Sequence, residues 1–267
     1  MNVEQFEIAG SLGELKGRIS VPLKEPTGVL ICLHGSPNGN LHGNAGIFDD
    51  IAALAPAEGY AVLQFSFCGS APSGGSATQA TITSQRADYR TILLYAFERF
   101  SCPVHVIGES AGATIASLDW QQSISSYVLL WPAFDLARTD ISPYLTDSCL
   151  ADAQRVGFVE DGNVILGYDF LREVATTDFS ASFSLPSAPI FLAHGQSDSE
   201  VPYEQSLRAL STACGITCFL GHPEADHGFK EREQRDLLLS MLLSWLKILR
   251  GFPSLSRSTC GDAPLMT

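Results

Sequence analysis

Residues 104–117 read VHVIGESAGATIAS, and this stretch decides the fold. It begins with a short, largely apolar run that ends at Gly108 and is typical of a buried strand. Small and apolar residues after the second glycine begin a helical pattern. A G-x-S-x-G string between a strand and a helix is typical of a nucleophile elbow, the sharp turn that lifts a serine hydroxyl above the end of a sheet. The stretch therefore predicts Ser110 as a catalytic nucleophile.

Short apolar runs alternate with longer amphipathic segments along the rest of the chain. The predicted strands, including the one before Ser110, are Gly28 to Leu33, Tyr60 to Phe67, Val104 to Ile107, Ser126 to Trp131, Pro189 to Ala193 and Ile216 to Leu220. Apolar side chains at helical spacing predict amphipathic helices over Ile82 to Phe100 and Arg232 to Leu249. This alternation predicts an α/β protein with a mostly parallel, doubly wound sheet. Residues 1–22 predict an antiparallel hairpin at the sheet edge.

One interval between predicted strands, Pro132 to Leu185, is too long for a simple connection. A crossover between parallel strands needs about a dozen residues, and this interval is several times longer. It predicts a small helical cap over the carboxyl ends of the strands. We therefore expect a core at 1–133 and 185–250, a cap insertion at 134–184 and a loose tail at 251–267.

The charge balance argues against several classes of partner. Asp and Glu number 29 and Lys and Arg 16, which gives a formal net charge of -13 over 267 residues. Such a surface repels phosphate backbones and anionic lipids, so we expect neither nucleic-acid nor membrane binding. The 45% hydrophobic and 17% charged fractions are those of a folded globular protein.

Cysteine use and the lack of a targeting segment favour a cytoplasmic protein. The seven cysteines are an odd number, and Cys32 and Cys218 lie inside predicted strands, which suits reduced thiols. Cys214 and Cys218 are too widely spaced for a CxxC motif, and no second cysteine or histidine pair completes a zinc site, so no metal is expected. The N-terminus has no continuous apolar segment. The richest apolar stretch, Leu237 to Leu246, is about half the length that spans a bilayer.

The partners of a serine nucleophile are expected in the chain order serine, acid, histidine, each after a later strand. Asp198 follows the predicted strand that ends at Ala193, and His227 follows the one that ends at Leu220. His227 would take the proton of Ser110 as general base, and Asp198 would fix the tautomer of the imidazole and stabilise its charged form.

Other residues compete for these two roles. His222 is the alternative base, but the Asp226-His227-Gly228 sequence lets the His227 ring turn back over the strand ends. Asp226 and Glu200 are alternative acids, and Asp198 is preferred to Asp226 because neighbouring loop residues rarely point at each other. Histidines 34, 42, 105 and 194 are interpreted as structural residues, two of which, at 34 and 194, brace their loops.

Two backbone N–H groups are needed to bind the oxyanion of a tetrahedral intermediate. The N–H of Ala111 follows the nucleophile and is one of them by position. The second is expected after the strand that ends at Leu33, where Gly35 permits a tight turn and Ser36 presents its N–H. Pro37 has no N–H to offer.

Four strings in this order resemble the α/β-hydrolase superfamily: LHG at 33–35, GESAG at 108–112, HGQSDSEVP at 194–202 and ADHGF at 225–229. Residues 65–95 contain F-x-G and S-G-G, followed by Thr81 and then Asp88. This segment resembles the cinnamoyl (feruloyl) esterase and monoacylglycerol-lipase-like serine hydrolases. The resemblance covers the chain from about Gly28 to Leu249.

The resemblance implies an α/β-hydrolase fold with a small cap inserted between the sixth strand and the strand that leads to the acid. It implies a serine hydrolase that cleaves a small-molecule ester through an acyl-enzyme, with no cofactor. Glu109 and Ala111 stand where that group usually has His and Gln. Seven aromatic residues of the insertion and its borders are candidates to line an acyl pocket, and the alternative is that most of them anchor the cap to the core: Trp131, Phe134, Tyr144, Phe158, Tyr168, Phe170 and Phe183.

Two other functions remain open from the sequence. Acyl chemistry alone does not distinguish the leaving group, so a thioesterase or a peptidase acting on small peptides is the alternative enzyme. A non-catalytic binding protein that kept the fold has no physical need of all three groups of the triad. The oligomeric state is left open.

Overall fold

A computed structural model describes residues 1–37, 39–179 and 185–251 of the chain. The strands are β1 (Asn2–Ala9), β2 (Glu14–Val21), β3 (Gly28–Leu33), β4 (Tyr60–Phe65), β5 (Val104–Glu109), β6 (Ser126–Leu130), β7 (Phe158–Asp161), β8 (Val164–Gly167), β9 (Ile190–Gly195) and β10 (Thr217–His222). The α-helices are α1 (Ile47–Leu54), α2 (Ile82–Arg99), α3 (Ala111–Ser117), α4 (Asp147–Val156), α5 (Tyr168–Thr176), α6 (Glu204–Leu210) and α7 (Arg232–Gly251).

Eight of these strands form one sheet in the order β1-β2-β4-β3-β5-β6-β9-β10. The pairs from β4 to β10 are parallel. At one edge β1 pairs antiparallel with β2, and β2 pairs antiparallel with β4. The predicted mostly parallel sheet and its antiparallel edge hairpin are therefore confirmed.

The sheet is covered by helices on both faces, because its central strands are apolar on both sides. In β3, Val29, Ile31 and Leu33 face one cluster of buried residues, to which α2 and α3 also contribute. Leu30 and Cys32 face a second cluster, to which α1 and α7 contribute. This alternation is the two-residue period of a strand, and it explains why the sequence shows continuous apolar runs instead of alternating ones.

The chain between β6 and β9 contains α4, α5 and an antiparallel hairpin of β7 with β8. The sequence predicted a helical insertion and did not predict the hairpin. It approaches the segment before α2 closely: a Cβ on Gly167 would lie 2.1 Å from the backbone oxygen of Thr78. The backbone N–H of Thr83 donates to Glu173 of α5 at 3.1 Å. The division into core and cap at 134 and 184 stays a prediction.

The last helix, α7, ends at Gly251, one residue inside the predicted tail. The rest of that tail, 252–267, lies outside the described residues. Among the described residues, no helix combines the length and the apolar character required to cross a bilayer.

Candidate active site

Ser110 lies in a strained turn between β5 and α3. Its backbone has φ 49 and ψ -123. Residues other than glycine rarely adopt this positive-φ conformation. The two flanking glycines are required by close backbone approach. A Cβ on Gly108 would lie 2.8 Å from the backbone of Ala113, and one on Gly112 would lie 2.1 Å from the carbonyl oxygen of Leu33. The turn therefore has the geometry that the G-x-S-x-G string predicts.

His227 and Asp198 are brought together by the loops that follow β10 and β9. Nδ1 of His227 lies 2.8 Å from Oδ2 of Asp198. The other carboxylate oxygen of Asp198 accepts the backbone N–H groups of Glu200 at 2.8 Å and Val201 at 2.9 Å. A carboxylate at Nδ1 keeps the proton there, which leaves Nε2 of the neutral ring as a proton acceptor.

His194 is a second histidine on the same carboxylate. Its Nε2 lies 3.1 Å from Asp198 Oδ2, and its Nδ1 lies 2.7 Å from the hydroxyl of Ser206. The ring is fully buried. This position fits the interpretation of His194 as a residue that braces its loop, because it orients the acid and does not reach the cleft.

The charges of these groups are set by burial and by each other. Burial would raise the pKa of Asp198, but hydrogen bonds from His194 and His227 hold it well below its usual range. Burial would lower the pKa of His227, but the hydrogen bond and charge of Asp198, together with the carboxylates of Glu200 and Glu109, raise it above its usual value. Asp198 is therefore ionised, and its charge favours the protonated form of His227.

The alternative acids and base lie in other arrangements. Both carboxylate oxygens of Asp226 are engaged by Lys230, one by its ammonium at 3.3 Å and the other by its backbone N–H at 3.0 Å. Nδ1 of His222 accepts the N–H of Glu224 at 3.3 Å. Glu200 does reach His227, but at the opposite nitrogen, with Oε2 3.6 Å from Nε2. Asp198 is thus the carboxylate placed to hold the tautomer, and its role remains a prediction.

Ser110 and His227 line one cleft of about 390 Å³. Three carboxyl groups line it as well, those of Glu109, Asp140 and Glu200. Burial raises the pKa of each of the three, that of Glu109 to about 7. The cleft is therefore lined by acidic side chains, and burial makes their ionisation less favourable. No group of His, Cys, Asp and Glu side chains suited to a metal ion occurs in the parts of the chain that the structure describes.

The loop after β3 forms one wall of the cleft. The Gly35 N–H donates to Oε1 of Glu109 at 3.3 Å, so it is engaged, and the Ser36 N–H remains the oxyanion donor expected by position. Nε2 of Gln85 donates to the hydroxyl of Ser36 at 2.8 Å and fixes that residue. His34 donates from Nδ1 to the Gly35 carbonyl at 2.7 Å and accepts the Phe67 N–H at 2.9 Å. Burial lowers its pKa to about 4, so it is a neutral structural residue.

No family model and no curated protein sequence matches the chain. Several solved structures are similar to it. A putative hydrolase from Agrobacterium vitis S4 is similar with a TM-score of 0.75 at 18% identity, over 91% of this chain and 99% of that one. Est1E from Butyrivibrio proteoclasticus, solved with ferulic acid bound, has a TM-score of 0.73 at 16% identity, over 91% of this chain and 98% of that one. Mouse alpha/beta hydrolase domain-containing protein 10 has a TM-score of 0.70 at 18% identity, over 93% of this chain and all of that one. The protein has the α/β-hydrolase fold.

A second, smaller pocket of about 260 Å³ adjoins the cleft of this α/β-hydrolase fold. The two cavities share the wall formed by Ser36, Pro37, Gly39 and Asn40. Its other lining residues include Ala71, Ala77, Ala80, Ile165, Leu166 and Phe170. Ser70 and Gln85 also line it, so the pocket beside the predicted oxyanion donor is partly apolar and partly polar.

The aromatic residues expected around the pocket have different positions. Phe170 lines it, whereas Trp131 and Phe134 are fully buried in the core. Tyr144, Phe158 and Tyr168 belong to the insertion but line neither cavity. Phe183 lies outside the described residues. Apolar character alone did not distinguish residues that anchor the insertion from residues that face a cavity.

Two side chains at the site were not singled out as functional from the sequence. Glu109 was noted only as a departure from a related group, yet its buried carboxylate binds two backbone N–H groups. Arg235 looked like part of the charged first turn of α7, yet it donates to the loop that carries His227. Their partners lie far away in sequence, and no local pattern indicates them.

Proposed function

We propose that the protein is a serine hydrolase that cleaves carboxylic esters of small acyl or aryl-acyl groups through an acyl-enzyme. The observation that carries the proposal is the strained Ser110 turn, which lines the same cleft as a histidine paired with a buried carboxylate. The likeness to Est1E, whose solved structure holds ferulic acid, supports the aryl-acyl part.

In this proposal each group has one task. Nε2 of His227 takes the proton from Ser110 as the hydroxyl oxygen attacks the ester carbonyl. The N–H groups of Ser36 and Ala111 bind the oxyanion of the tetrahedral intermediate. His227 then protonates the leaving alcohol. In the second half of the reaction His227 takes a proton from water as the water oxygen attacks the acyl carbonyl, and it returns that proton to the Ser110 oxygen as the acid product leaves. Asp198 keeps the tautomer throughout.

The size and charge of the cavities favour small, uncharged substrates. The pocket of about 260 Å³ is slightly smaller than the range of about 300–1,000 Å³ that is typical of small-molecule sites, which suits a short or aryl acyl chain better than a long one. Among the described residues that line the cleft, Glu109, Asp140 and Glu200 carry carboxyl groups and none is a lysine or an arginine. A substrate that carries a carboxylate would be repelled there.

A substrate panel tests the proposal. We expect acetyl, butyryl and feruloyl esters to be cleaved with a kcat/KM at least about tenfold above that of a long-chain triglyceride, because only the smaller acyl groups fit the pocket. An ester with a free carboxylate on its acyl chain should be cleaved more slowly than its neutral methyl ester. The measurement is initial rates at matched concentrations, with fluorophosphonate labelling as a check of the serine.

The same panel includes an acyl-thioester and an aminoacyl anilide. A preference for either would replace the ester proposal with the thioesterase or peptidase alternative. Failure of the parent protein to react with any ester and with fluorophosphonate would contradict a serine hydrolase altogether.

Glu200 provides a pH test of the base. Its carboxylate lies 3.6 Å from Nε2 of His227 and helps to raise the pKa of that ring. A neutral ring is needed to accept the proton, so activity is lost as pH falls through the pKa of His227. Glu200→Gln keeps the size and removes the charge, which lowers this pKa. The acid limb of kcat/KM should therefore move to lower pH.

The control for this shift is Asp226→Asn. Asp226 is the immediate neighbour of His227 in sequence, but its carboxylate pairs with Lys230. Its loss should leave the acid limb where it is in the parent. An unmoved limb in Glu200→Gln, or a limb moved to higher pH, would show that the titrating base is not the ring beside Glu200.

A further inference from the structure

Three loops of the site meet at one short turn, residues 43–46, which we name the brace turn. It has three left-handed residues, Gly43, Ala45 and Gly46, with φ of 71, 50 and 79. Gly43, Asn44 and Ala45 line the cleft, but none of them has a step in the proposed reaction. Its neighbours are the oxyanion loop (residues 34–37), the serine turn after β5 and the base loop (residues 225–229).

Glu109 connects the brace turn to the first two of these loops. The residue ends β5 directly before Ser110, and 1% of it is exposed. The N–H of Asn44 lies 2.8 and 2.9 Å from the two carboxylate oxygens, and the N–H of Gly35 donates to Oε1 at 3.3 Å. One buried side chain thus joins the brace turn and the oxyanion loop to the residue before the nucleophile.

Arg235 connects the brace turn to the base loop. Its guanidinium donates to the carbonyls of Ala45 at 2.6 Å, Gly228 at 2.7 Å and Phe229 at 3.0 Å. It also reaches the carboxylate of Asp50 at 3.1 Å. The two loops touch directly as well, since a Cβ on Gly228 would lie 3.0 Å from the amide carbon of Asn44. A planar fork of donors is suited to binding several carbonyls at once.

We propose that Glu109 and Arg235 are positioning residues that hold the oxyanion loop and His227 in register with Ser110 through the brace turn. The inference rests on the proposed function for its catalytic consequence. Neither side chain has a step in the acyl-transfer mechanism. Both hold the loops through backbone groups, and the Glu109 carboxylate also helps to raise the pKa of His227. Acyl transfer depends strongly on the placement of the nucleophile, the base and the oxyanion donors relative to one another.

The ordinary alternative is that Glu109 is only a buried structural carboxylate. The chain contains a matched case, Asp88 on α2, which is fully buried and accepts the N–H groups of Ser11 at 2.7 Å and Cys68 at 2.8 Å. Asp88 joins backbone segments in the same way but has no bond to the brace turn. Comparison of Glu109→Gln with Asp88→Asn therefore separates a positioning role from a structural one.

The test measures kcat and KM for a p-nitrophenyl ester in Glu109→Gln, Arg235→Lys and the double variant. Glutamine replaces one acceptor oxygen with a donor that faces the Asn44 N–H, and lysine cannot reproduce the fork of donors. We expect each single variant to lose at least about tenfold in kcat while KM changes by less than about twofold. The double variant should lose about as much as the worse single variant, because both act through one turn.

A second measurement does not depend on activity. Amide hydrogen exchange in the oxyanion loop and the base loop should be faster in both single variants than in the parent, and unchanged in Asp88→Asn. Asp88→Asn should lose stability and keep kcat within about twofold of the parent. If the parent is inert towards esters, the proposed function fails, and the exchange data still decide whether the brace exists.

The inference is overturned by a kcat in Glu109→Gln within about twofold of the parent, by losses that add in the double variant, or by unchanged exchange in both loops. If Glu109→Gln does not fold, Arg235→Lys decides the question by the same two measurements. Glu109→Ala, which keeps no acceptor, should be more severe than Glu109→Gln, and equal losses in the two would also contradict a role carried by the carboxylate oxygens.

Discussion

Ser110→Ala is expected to lower the turnover of an activated ester by roughly four to six orders of magnitude, because the attacking oxygen is gone while the rest of the site remains. The fold should survive. Alanine carries a Cβ at φ 49 just as serine does, so the backbone strain of the turn is nearly the same in both proteins. The free energy of unfolding should therefore change by less than about 1 kcal/mol.

The measurements are initial rates with a p-nitrophenyl ester, covalent labelling by a fluorophosphonate, and a denaturant titration of parent and variant. Ser211→Ala, at an exposed serine just after α6, is the matched control and should behave as the parent does. Turnover in Ser110→Ala within tenfold of the parent, with the fold intact, would refute the assignment of the nucleophile.

The sheet was predictable because a parallel strand has a local signature. Runs such as Val29 to Leu33 are apolar at every position, since both faces are covered. Strand ends were less accurate. β5 extends through Gly108 and Glu109, and β9 extends through His194 and Gly195, because these polar or small residues still pair with a neighbouring strand. Pairing depends on a partner elsewhere in the chain, and no window of sequence contains it.

The candidate site was predictable only where residues follow a strand. Asp198 and His227 follow β9 and β10, whose carboxyl ends lie side by side in the sheet, and that adjacency brings the two residues to 2.8 Å. Glu109 and Arg235 meet through the brace turn, which no periodicity marks. The short hairpin of β7 and β8 was also missed, because its partly buried strands are too short to show a repeat.

His227→Ala is expected to abolish fluorophosphonate labelling, with a loss of at least about a thousandfold in rate, because no other group in the cleft can take the Ser110 proton and also be fixed by Asp198. The variant should still fold. Asp198 remains bonded to two backbone N–H groups and to His194, so its buried charge keeps three of its partners. The loss would then be chemical and not structural.

His222→Ala is the control that separates the two histidines, and it should retain most of the labelling rate. The His222 ring accepts the Glu224 N–H and packs edge-on against Phe229 at 6.1 Å between centroids, so its removal costs local packing near the base loop. A rate within about fivefold of the parent is expected. Labelling that survives in His227→Ala and disappears in His222→Ala would move the base to His222, and the Asp198 carboxylate would then have to be interpreted as a purely structural partner of two histidines.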